Sequence, residues 1–457
     1  MRFDLRVPGR TARARWIAAI LIALAFALAG WKILGRPPAS NFAPPRSAAL
    51  VRPPIEIARS PSLALLQRQI SAGGGFSFDA GFVSSAPGQA VHAPSLVELS
   101  DGRLRAVWFS GSREGAGDVV IKTSVMDPSS LRWGTESTLL DRQRIQRGLW
   151  RYVKKLGNPV IARAPDGSLL LWLVTVSVGG WAGSSITWAR STDEGEHWSD
   201  PRRLVTSPFF NISTLVKGAP FFYANGQVGL PVYHELVSKF AEILRIDGNG
   251  QILDKTRIPG SHASLQPVVL PIDAERAQLY LRSAAGSAVM ASSTRDAGKT
   301  WDAVRATGWP NPDSALAGVV TGSAGQWLAL NPDHAGRHIL ALLHGPTGGS
   351  FEGARPWVVE PPAAPRARVP IRDFEALLAA ELDTRGAGAA QVRGDVASAV
   401  RQLCGADTCA PEFSYPYLLQ GRDGHLHLVY TWHRARIKHV RLDPVQAAQA
   451  DAVPTPR

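Results

Sequence analysis

The chain has 457 residues, of which 45% are hydrophobic and 19% charged, so it can bury a large core and lacks the composition of a disordered protein. Its formal net charge is +13, yet the basic residues are spread along the chain and no nucleic-acid-binding motif occurs, so we expect no nucleic-acid partner. A basic surface that faces anionic glycans or lipid headgroups is the more economical interpretation, and solubility alone also explains the charge.

The N-terminus has the pattern of an export or anchoring signal. Residues 1–15 hold five arginines against one acid, and residues 16–34 form a largely apolar segment with Trp16 and Trp31 as candidate interfacial residues. We favour an uncleaved transmembrane anchor, and a signal cleaved after the small residues of Ala27-Leu28-Ala29 is the alternative. Either interpretation keeps the basic residues 1–15 in the cytoplasm and sends the rest of the chain across the membrane.

The segments that follow differ in composition. Residues 35–74 are rich in Pro, Ala and Ser and predict a semi-rigid spacer, and residues 446–457 predict a flexible tail. Between them, residues 75–445 contain short strands rich in Val, Leu, Trp and Tyr, separated by turn residues. This central region is predicted to be one all-β domain.

A hairpin recurs along this domain, in which an apolar strand and a tight turn precede a strand with aromatic residues. Asp-Gly and Asn-Gly turns fit two-residue hairpins because both central residues need positive φ. The four clear copies and the two weaker ones are Asp101-Gly102, Asp166-Gly167, Asn225-Gly226, Asp423-Gly424, Asp273 to Gln278 and Ser323 to Gln326. Six such repeats predict a six-bladed β-propeller of four-stranded blades.

The last gap between hairpins is longer than the others because residues 366–402 switch to helical spacing of their apolar residues. We interpret them as a helical insertion between blades 5 and 6, which acts either as a lid over the mouth of the propeller or as a passive decoration. The only two cysteines, Cys404 and Cys409, follow directly. They are predicted to form a local disulfide in an oxidising compartment, with a pair of free thiols as the alternative.

A second turn motif identifies the repeat more closely. The segments Ser191-Thr-Asp193-Glu-Gly195-Glu-His-Trp198 and Thr294-Arg-Asp296-Ala-Gly298-Lys-Thr-Trp301 match the Asp-box pattern Ser/Thr-x-Asp-x-Gly-x-x-Trp, and Asp127 to Trp133 is a degenerate copy. We expect structural roles: the Asp accepts backbone N–H groups, the Gly supplies positive φ and the Trp fills the gap between strands.

On these motifs the chain resembles the sialidase (neuraminidase) superfamily of Asp-box, or BNR-repeat, proteins. The strings His92-Ala-Pro-Ser-Leu-Val-Glu-Leu, Gly179-Gly-Trp-Ala-Gly, Tyr233-His-Glu and Glu412-Phe-Ser-Tyr-Pro-Tyr-Leu are similar to bacterial proteins described as predicted neuraminidases. Sialidases bind the sugar carboxylate with three arginines, use a Tyr paired with Glu as nucleophile and an Asp as acid/base. A neutral Tyr suits an anionic substrate, which a carboxylate nucleophile would repel.

The resemblance implies a set of site residues. Tyr415 matches the nucleophile, and Tyr417 is its reserve candidate and a possible substrate contact. Arg282 and Arg337 resemble the second and third arginines of the carboxylate clamp, for which a bidentate and permanently charged guanidinium is well suited.

Two positions depart from the family pattern. His92 stands where sialidases place the first arginine, and Gln266 stands where they place the Glu partner of the tyrosine, which puts the usual mechanism in question because Gln cannot take a proton. Nearby replacements are a base supplied by His234 and Glu235 and contact of a protonated His92 with an anion. The segment that holds the acid/base Asp and an accessory Arg in sialidases contains Asp118 and Arg113 in this chain. For Asp118 a structural role at the start of its strand is the favoured alternative.

The sequence therefore predicts a metal-free, cofactor-free exo-glycosidase that resembles a sialidase and acts on sialic acid or another terminal acidic sugar. The alternatives are a catalytically inactive propeller that binds acidic glycan for envelope polysaccharide handling, and a different enzyme on the same scaffold. Together with the N-terminal segment, the resemblance implies a single-pass protein of a bacterial inner membrane with its propeller on the periplasmic side, or a secreted protein if the signal is cleaved.

Overall fold

A computed structural model describes residues 10–35, 38–44, 69–70, 77–207, 211–322, 325–362 and 367–444. The predicted tail, most of the spacer and residues 323–324 of the fifth hairpin lie outside these described residues. The chain divides into two units, residues 1–39 and residues 40–457. The first contains helix α1 (Arg10–Leu34), in which Arg13–Trp31 has a mean hydropathy of 1.9 and is long and apolar enough to cross a membrane. A signal sequence has the same properties.

The second unit is built from antiparallel sheets. Strands β1 (Gln69–Ile70) and β2 (Ser77–Phe82) come first in the chain and belong to the last blade. The first blade contains β3 (Ala90–Glu98), β4 (Leu104–Gly111), β5 (Val120–Asp127), β6 (Arg132–Trp133) and β7 (Ser137–Leu140). Helix α2 (Arg142–Leu149) leads to the second blade, which contains β8 (Lys155–Arg163), β9 (Leu169–Val176), β10 (Ser184–Ser191) and β11 (Arg202–Arg203).

The remaining blades follow in chain order. The third contains β12 (Leu215–Val216), β13 (Phe221–Phe222), β14 (Val228–His234), β15 (Phe240–Ile246) and β16 (Ile252–Arg257). The fourth contains β17 (Ser264–Pro271), β18 (Ala277–Ser283), β19 (Ala288–Thr294) and β20 (Arg305–Pro310). The fifth contains β21 (Ala317–Val320), β22 (Gln326–Leu330), β23 (Leu340–Gly345) and β24 (Trp357–Glu360).

A helical insertion separates the fifth blade from the sixth. It consists of β25 (Val369–Pro370), α3 (Ile371–Thr384), α4 (Ala389–Leu403) and β26 (Thr408–Cys409). The sixth blade contains β27 (Phe413–Gln420), β28 (Leu426–Trp432) and β29 (Arg436–Leu442), and β2 pairs with β29 as its outer strand. A strand from the N-terminal side of the domain therefore completes the last blade.

The six sheets form a ring, so the predicted six-bladed β-propeller is confirmed. First strands of neighbouring blades contact one another, as β3 does with β8 and with β27, and β17 does with β21. The second strands carry the large aromatic residues that the repeated hairpin pattern contained. The indole rings on four of them are fully buried between sheets, at Trp108, Trp172, Trp327 and Trp432. Burial of such rings between blades supplies much of the core.

The two Asp-box turns have the geometry their residues predict. In the turn after β10, Asp193 Oδ1 accepts the Ser191 hydroxyl at 2.8 Å and the His197 N–H at 2.9 Å. These hydrogen bonds, together with that of the His197 side chain, lower the pKa of Asp193 to about 2. Gly195 has φ of +89°, and its carbonyl accepts the buried Trp198 indole at 3.0 Å. The turn after β19 repeats the hydrogen bonds of the Asp at Asp296 and the positive φ at Gly298, and Trp301 is buried there.

Part of the predicted spacer contacts the propeller. The Phe42 ring is fully buried and lies 5.4 Å from that of Phe221, and the Phe42 N–H donates to the Ala274 carbonyl. Residues 41–43 of the spacer therefore contact the third and fourth blades, because the Phe42 side chain is apolar and packs between them.

The helical insertion packs on the sixth blade through the apolar faces of α3 and α4. Phe374, Leu378 and Leu382 of α3 share a buried cluster with residues of β27 and β28. Beyond α4, Cys404 and Cys409 form the disulfide that their spacing predicted. Because the Gln402 side chain also donates to the Arg434 carbonyl at 3.3 Å, α4 supports the turn between β28 and β29.

His433 in that turn makes the stability of the domain sensitive to acid. Its ring is buried beside Phe374 and Phe413, and its Nδ1 accepts the Glu412 N–H at 3.1 Å. Burial lowers the pKa of His433 from 6.5 to about 3. Below pH 6.5 the unfolded chain therefore binds a proton that the folded chain excludes until about pH 3.

We expect the His433 site alone to lower the free energy of unfolding by about 2 kcal/mol between pH 7 and pH 5. Urea unfolding at both pH values, with the chain and with His433→Gln, measures this contribution as the difference between their pH dependences. An unchanged pH dependence in His433→Gln would contradict the assignment.

Candidate functional site

The first strands of four blades share a β-bulge close to their N-terminal ends. The residues at this bulge, Ala93, Asn158, Gln266 and Tyr415, have positive φ of 43–53°, and each is followed by proline. The strand register shifts at each of these positions. Positive φ before proline is an unfavourable backbone conformation, and bulges of this kind re-aim side chains near functional sites.

These bulges lie at one end of the ring, which we call the mouth. Since neighbouring strands are antiparallel, the N-terminal end of each first strand lies beside the loop that joins the second and third strands, as the pairing of Ala90 with Gly111 shows. The mouth therefore brings together the bulges and six such loops. Several charged residues lie on these loops, namely Glu114, Glu235, Arg337 and Arg434.

A hydrogen-bonded chain of side chains starts at Tyr415. Gln266 Nε2 lies 3.0 Å from the Tyr415 hydroxyl, and Gln266 Oε1 accepts from Arg282 Nη1 at 3.0 Å. Arg282 in turn donates Nε to Asp313 Oδ1 at 2.7 Å. The same Gln266 amide reaches the Tyr233 hydroxyl at 3.4 Å. Gln266 therefore lies directly beside the Tyr415 hydroxyl, as the resemblance implies for the residue in the place of the family's Glu.

Two further arginines meet at Glu412. Arg337 Nη1 lies 3.4 Å from Glu412 Oε1, and Arg434 Nε lies 3.1 Å from Glu412 Oε2. Arg337 also donates to the Asp313 carbonyl at 2.8 Å, which joins this group to Arg282. Burial alone would raise the pKa of Glu412, but the two guanidinium charges hold it far below its usual value. Three arginines and Tyr415 thus share one network.

Arg434 is the arginine that sequence reasoning missed. It lies in the three-residue turn between β28 and β29, residues 433–435, where His433 and Arg434 both have positive φ. Its Nη1 also forms an ion pair with Glu114 Oε2 at 2.8 Å. The segment contains none of the glycine or asparagine residues that mark such turns, so the sequence Trp-His-Arg does not predict a turn at this position. The sequence also predicts no role for Glu412, although this residue opens one of the strings that resemble the family.

His92 does not act as the protonated anion contact that we expected. Its ring is 3% exposed and packs 4.2 Å from that of Tyr415, measured between ring centroids. Burial and the charges of Arg434, Arg337 and Lys217 lower the pKa of His92 well below 6.5. The imidazole is therefore neutral at neutral pH, because burial and the charges of the neighbouring arginines disfavour its protonated form.

Glu235 and His234 separate at the end of β14. His234 Nε2 lies 2.9 Å from Glu242 Oε2, and its ring stacks on Phe240. Both contacts are with β15 of the same blade. Glu235 interacts instead with Arg282, Asp313 and Glu114 at the mouth. Burial raises its pKa, and the neighbouring carboxylates act in the same direction, while Lys239 and Arg282 oppose them. β14 ends at His234, so Glu235 already lies in the loop that follows, where its N–H donates to the Ser213 hydroxyl at 2.9 Å.

The remaining candidates lie outside the network. Asp118 accepts the N–H of Ser112 at 2.9 Å and its hydroxyl at 3.0 Å, so its carboxylate closes its own exposed loop. Arg113 is exposed in the same loop, and Glu114 is the residue there that reaches the network. Tyr417 is buried, and its hydroxyl donates to the Ile161 carbonyl at 3.3 Å. The bulge at Tyr415 turns Tyr417 into the core, which corrects the prediction of Tyr417 as reserve nucleophile and substrate contact.

The mouth contains carboxylates and histidines, but they do not form a metal centre. Within the described residues, no group of three or more His, Cys, Asp or Glu has a geometry that could hold a metal ion. The carboxylates of this network are paired with arginines, whereas a metal site needs carboxylate oxygens that are free to bind the cation.

Comparisons with known proteins agree with this architecture. Residues 102–428 match the family described as BNR repeat-like domain. A microbial sialidase from the Hadza superposes with a TM-score of 0.56 and 15% identity over 78% of this chain and 66% of its own length. The NanB sialidase of Streptococcus pneumoniae gives a TM-score of 0.55 and 10% identity, over 83% of this chain and 71% of its own.

A protein of unknown function from Dyadobacter fermentans has a TM-score of 0.57 and 12% identity, over 80% of this chain and 97% of its own. Among curated proteins, none matches the sequence significantly. Identities this low establish the fold alone, whereas the family match covers most of the chain and confirms the resemblance drawn from the Asp-boxes. The chain belongs to the BNR repeat-like domain family, and its six-bladed propeller is the fold of the sialidases.

Proposed function

We propose that the mouth is the active site of an exo-glycosidase that removes a terminal acidic sugar, with sialic acid as the first candidate. The observation that carries the proposal is the continuous set of contacts from Tyr415 through Gln266 to Arg282, with Arg337 reached through Asp313. The likeness to solved sialidases supports the substrate class. The N-terminal helix supports a membrane-anchored or secreted protein that acts on glycans outside the cytoplasm.

In this proposal the arginines bind the carboxylate of the sugar. Each guanidinium has five N–H donors in a planar fork, so an arginine that already pairs with Asp313 or Glu412 keeps donors for a ligand. Arg282 and Arg337 correspond to the clamp positions of the family, and Arg434 is a third guanidinium in place of the arginine that His92 replaces.

Tyr415 is the proposed nucleophile and Glu235 the proposed general acid. A neutral phenol approaches an anionic sugar without the repulsion that a carboxylate would meet. Glu235 is suited to protonate the leaving oxygen, because burial raises its pKa and favours its protonated form. Asp118 stays a prediction for the acid/base role from the family resemblance, although its carboxylate is engaged by Ser112.

One observation favours a binding protein without catalysis. Gln266 cannot accept the phenolic proton, so the mouth lacks the carboxylate that normally activates the tyrosine. In that second candidate function, the same arginines bind acidic glycan without turnover, in envelope polysaccharide handling.

Release of methylumbelliferone from its α-sialoside distinguishes the two functions. We expect the chain to release the fluorophore, and Tyr415→Phe, which keeps the ring and loses only the hydroxyl, to be at least about 1,000-fold slower. Tyr417→Phe is the matched control, because its hydroxyl is buried against Ile161, and it should keep full activity. Turnover that survives in Tyr415→Phe would exclude the nucleophile, and glycan binding without turnover by the chain would favour the binding protein.

A further inference from the structure

A lysine lies fully buried beneath the proposed nucleophile. Lys217 follows β12 and is 2% exposed. Its Nζ lies 5.6 Å from the ring centroids of both Tyr415 and Tyr417, and it donates to the Pro416 carbonyl at 3.1 Å. The amine is therefore held by three consecutive residues of β27, at the bulge that places Tyr415 in the mouth.

Lys217 has no counter-ion in the part of the chain that the structure describes. Burial is the one influence on its pKa, which falls from 10.5 to about 7. The other deeply buried lysine, Lys438, is instead paired with two carboxylates, Glu360 and Glu381. An uncompensated buried amine is costly to a fold, and groups of this kind concentrate at functional sites.

Among the described residues, Lys217 is the amine that lies beside the Tyr415 ring. Its amine lies over the two tyrosine rings of β27 and interacts electrostatically with His92 of β3, which also feels the charges of Arg434, Glu412 and Arg337. His92 is neutral and surrounded by cations, and Glu412 is held ionised by two arginines. Gln266 offers an amide to the phenol and has no basic group.

We propose that Lys217 is the base that takes the phenolic proton of Tyr415, the role that Gln266 cannot perform; this inference rests on the proposed glycosidase function. As Tyr415 Oη forms its bond to the anomeric carbon, the O–H bond breaks and the proton passes to the neutral Nζ, which becomes an ammonium. The electron pair of the glycosidic bond moves to the leaving oxygen, which takes a proton from Glu235. In the structure Nζ lies over the Tyr415 ring, so the proposal requires the amine and the phenol to come within hydrogen-bond distance in the substrate complex, as catalytic groups often do.

Hydrolysis of the tyrosyl–sugar bond reverses these transfers. The Glu235 carboxylate takes a proton from the attacking water, whose oxygen forms the new bond to the anomeric carbon. The electron pair of the tyrosyl–sugar bond returns to Oη, and the Lys217 ammonium gives its proton back to the phenol. Both side chains then regain their starting protonation states, and a cationic amine beside Oη during the covalent stage helps the phenolate to leave.

The test compares Lys217→Met and Lys217→Arg with the matched control Lys438→Met, using the pH dependence of kcat for sialoside hydrolysis and thermal unfolding. In the unaltered chain, kcat should rise with pH through a limb near pH 7, the pKa to which burial brings the amine. Both Lys217 variants should lose at least about 100-fold in kcat and lack that limb, since Met has no base and Arg stays protonated.

Stability separates a catalytic loss from a folding defect. Lys217→Met should unfold at an equal or higher temperature, because it removes an uncompensated buried amine. Lys438→Met should unfold at a lower temperature, because Glu360 and Glu381 lose their cation, and it should keep the limb near pH 7.

Each outcome supports or overturns the inference. Retention of the rate or of the limb near pH 7 in Lys217→Met overturns the base role while the glycosidase function stands, provided that Tyr415→Phe is inactive. A Lys217→Arg variant that keeps the limb overturns it as well. Absence of turnover by the unaltered chain overturns both the function and the base role. A Lys217→Met variant that unfolds at a much lower temperature assigns the amine a structural role and also overturns the inference.

Discussion

Replacement of Glu235 by Gln is expected to lower kcat about 100- to 10,000-fold for sialosides with a poor leaving group, such as sialyllactose. The reason is that a sugar alkoxide needs a proton to leave, and the amide of Gln cannot supply one. Methylumbelliferone is a far better leaving group, so the loss measured with its sialoside should be much smaller. Product release from both substrates, measured with the chain and with the variant, gives the ratio of the two losses.

Asp118→Asn is the matched control for Glu235→Gln. Both changes replace a mouth carboxylate by its amide, but the Asp118 carboxylate is occupied by the Ser112 backbone and hydroxyl. We expect Asp118→Asn to lose little activity on either substrate. If Asp118→Asn shows the loss that depends on the leaving group and Glu235→Gln does not, the acid is Asp118 and the family pattern holds against the geometry.

Replacement of Glu412 by Gln is expected to lower the free energy of unfolding by about 3 kcal/mol, because two buried guanidinium groups lose the charge they share. Arg434 keeps Glu114, so the larger local change falls on Arg337. The same variant should bind sialic acid more weakly, since the arginines are no longer held in place. Urea unfolding and calorimetric titration measure the two effects.

Arg103→Gln provides the control for a charge change without burial. Arg103 pairs with Asp101 at 2.7 Å, and both side chains are more than two-fifths exposed, at 43% and 48%. Its loss should change stability by less than about 0.5 kcal/mol. Equal stability of Glu412→Gln and Arg103→Gln would show that the arginine cluster does not depend on Glu412.

The propeller was predictable because its signals are local and repeated. Each Asp-Gly or Asn-Gly pair marks a hairpin between a first and a second strand, and each Asp-box fixes a later turn of the same blade. The helical insertion was visible as a change of period at residues 366–402, where α3 and α4 lie. Its contacts were not predictable, because support of the turn at His433 and Arg434 depends on packing between segments distant in the chain.

The site was predictable only where a family motif marked it. Tyr415, Gln266, Arg282 and Arg337 came from such motifs, and the fold brings them into one network. Arg434 and Lys217 carry no motif. Arg434 depends on a three-residue turn without glycine, and Lys217 depends on burial beside two tyrosine rings. The sequence could not decide between Asp118 and Glu235 as the acid. The structure distinguishes them, because the Asp118 carboxylate is engaged by Ser112 in its own loop and Glu235 is not.

Calorimetric binding of sialic acid and of its methyl ester tests the central claim most directly, because the two ligands differ in the charge that the three arginines are proposed to bind. We predict that the free acid binds at least about 10-fold more tightly than the ester and that Arg337→Met removes this preference. Equal affinity for acid and ester, or a preference that survives in Arg337→Met, would contradict the assignment of the mouth to an acidic sugar.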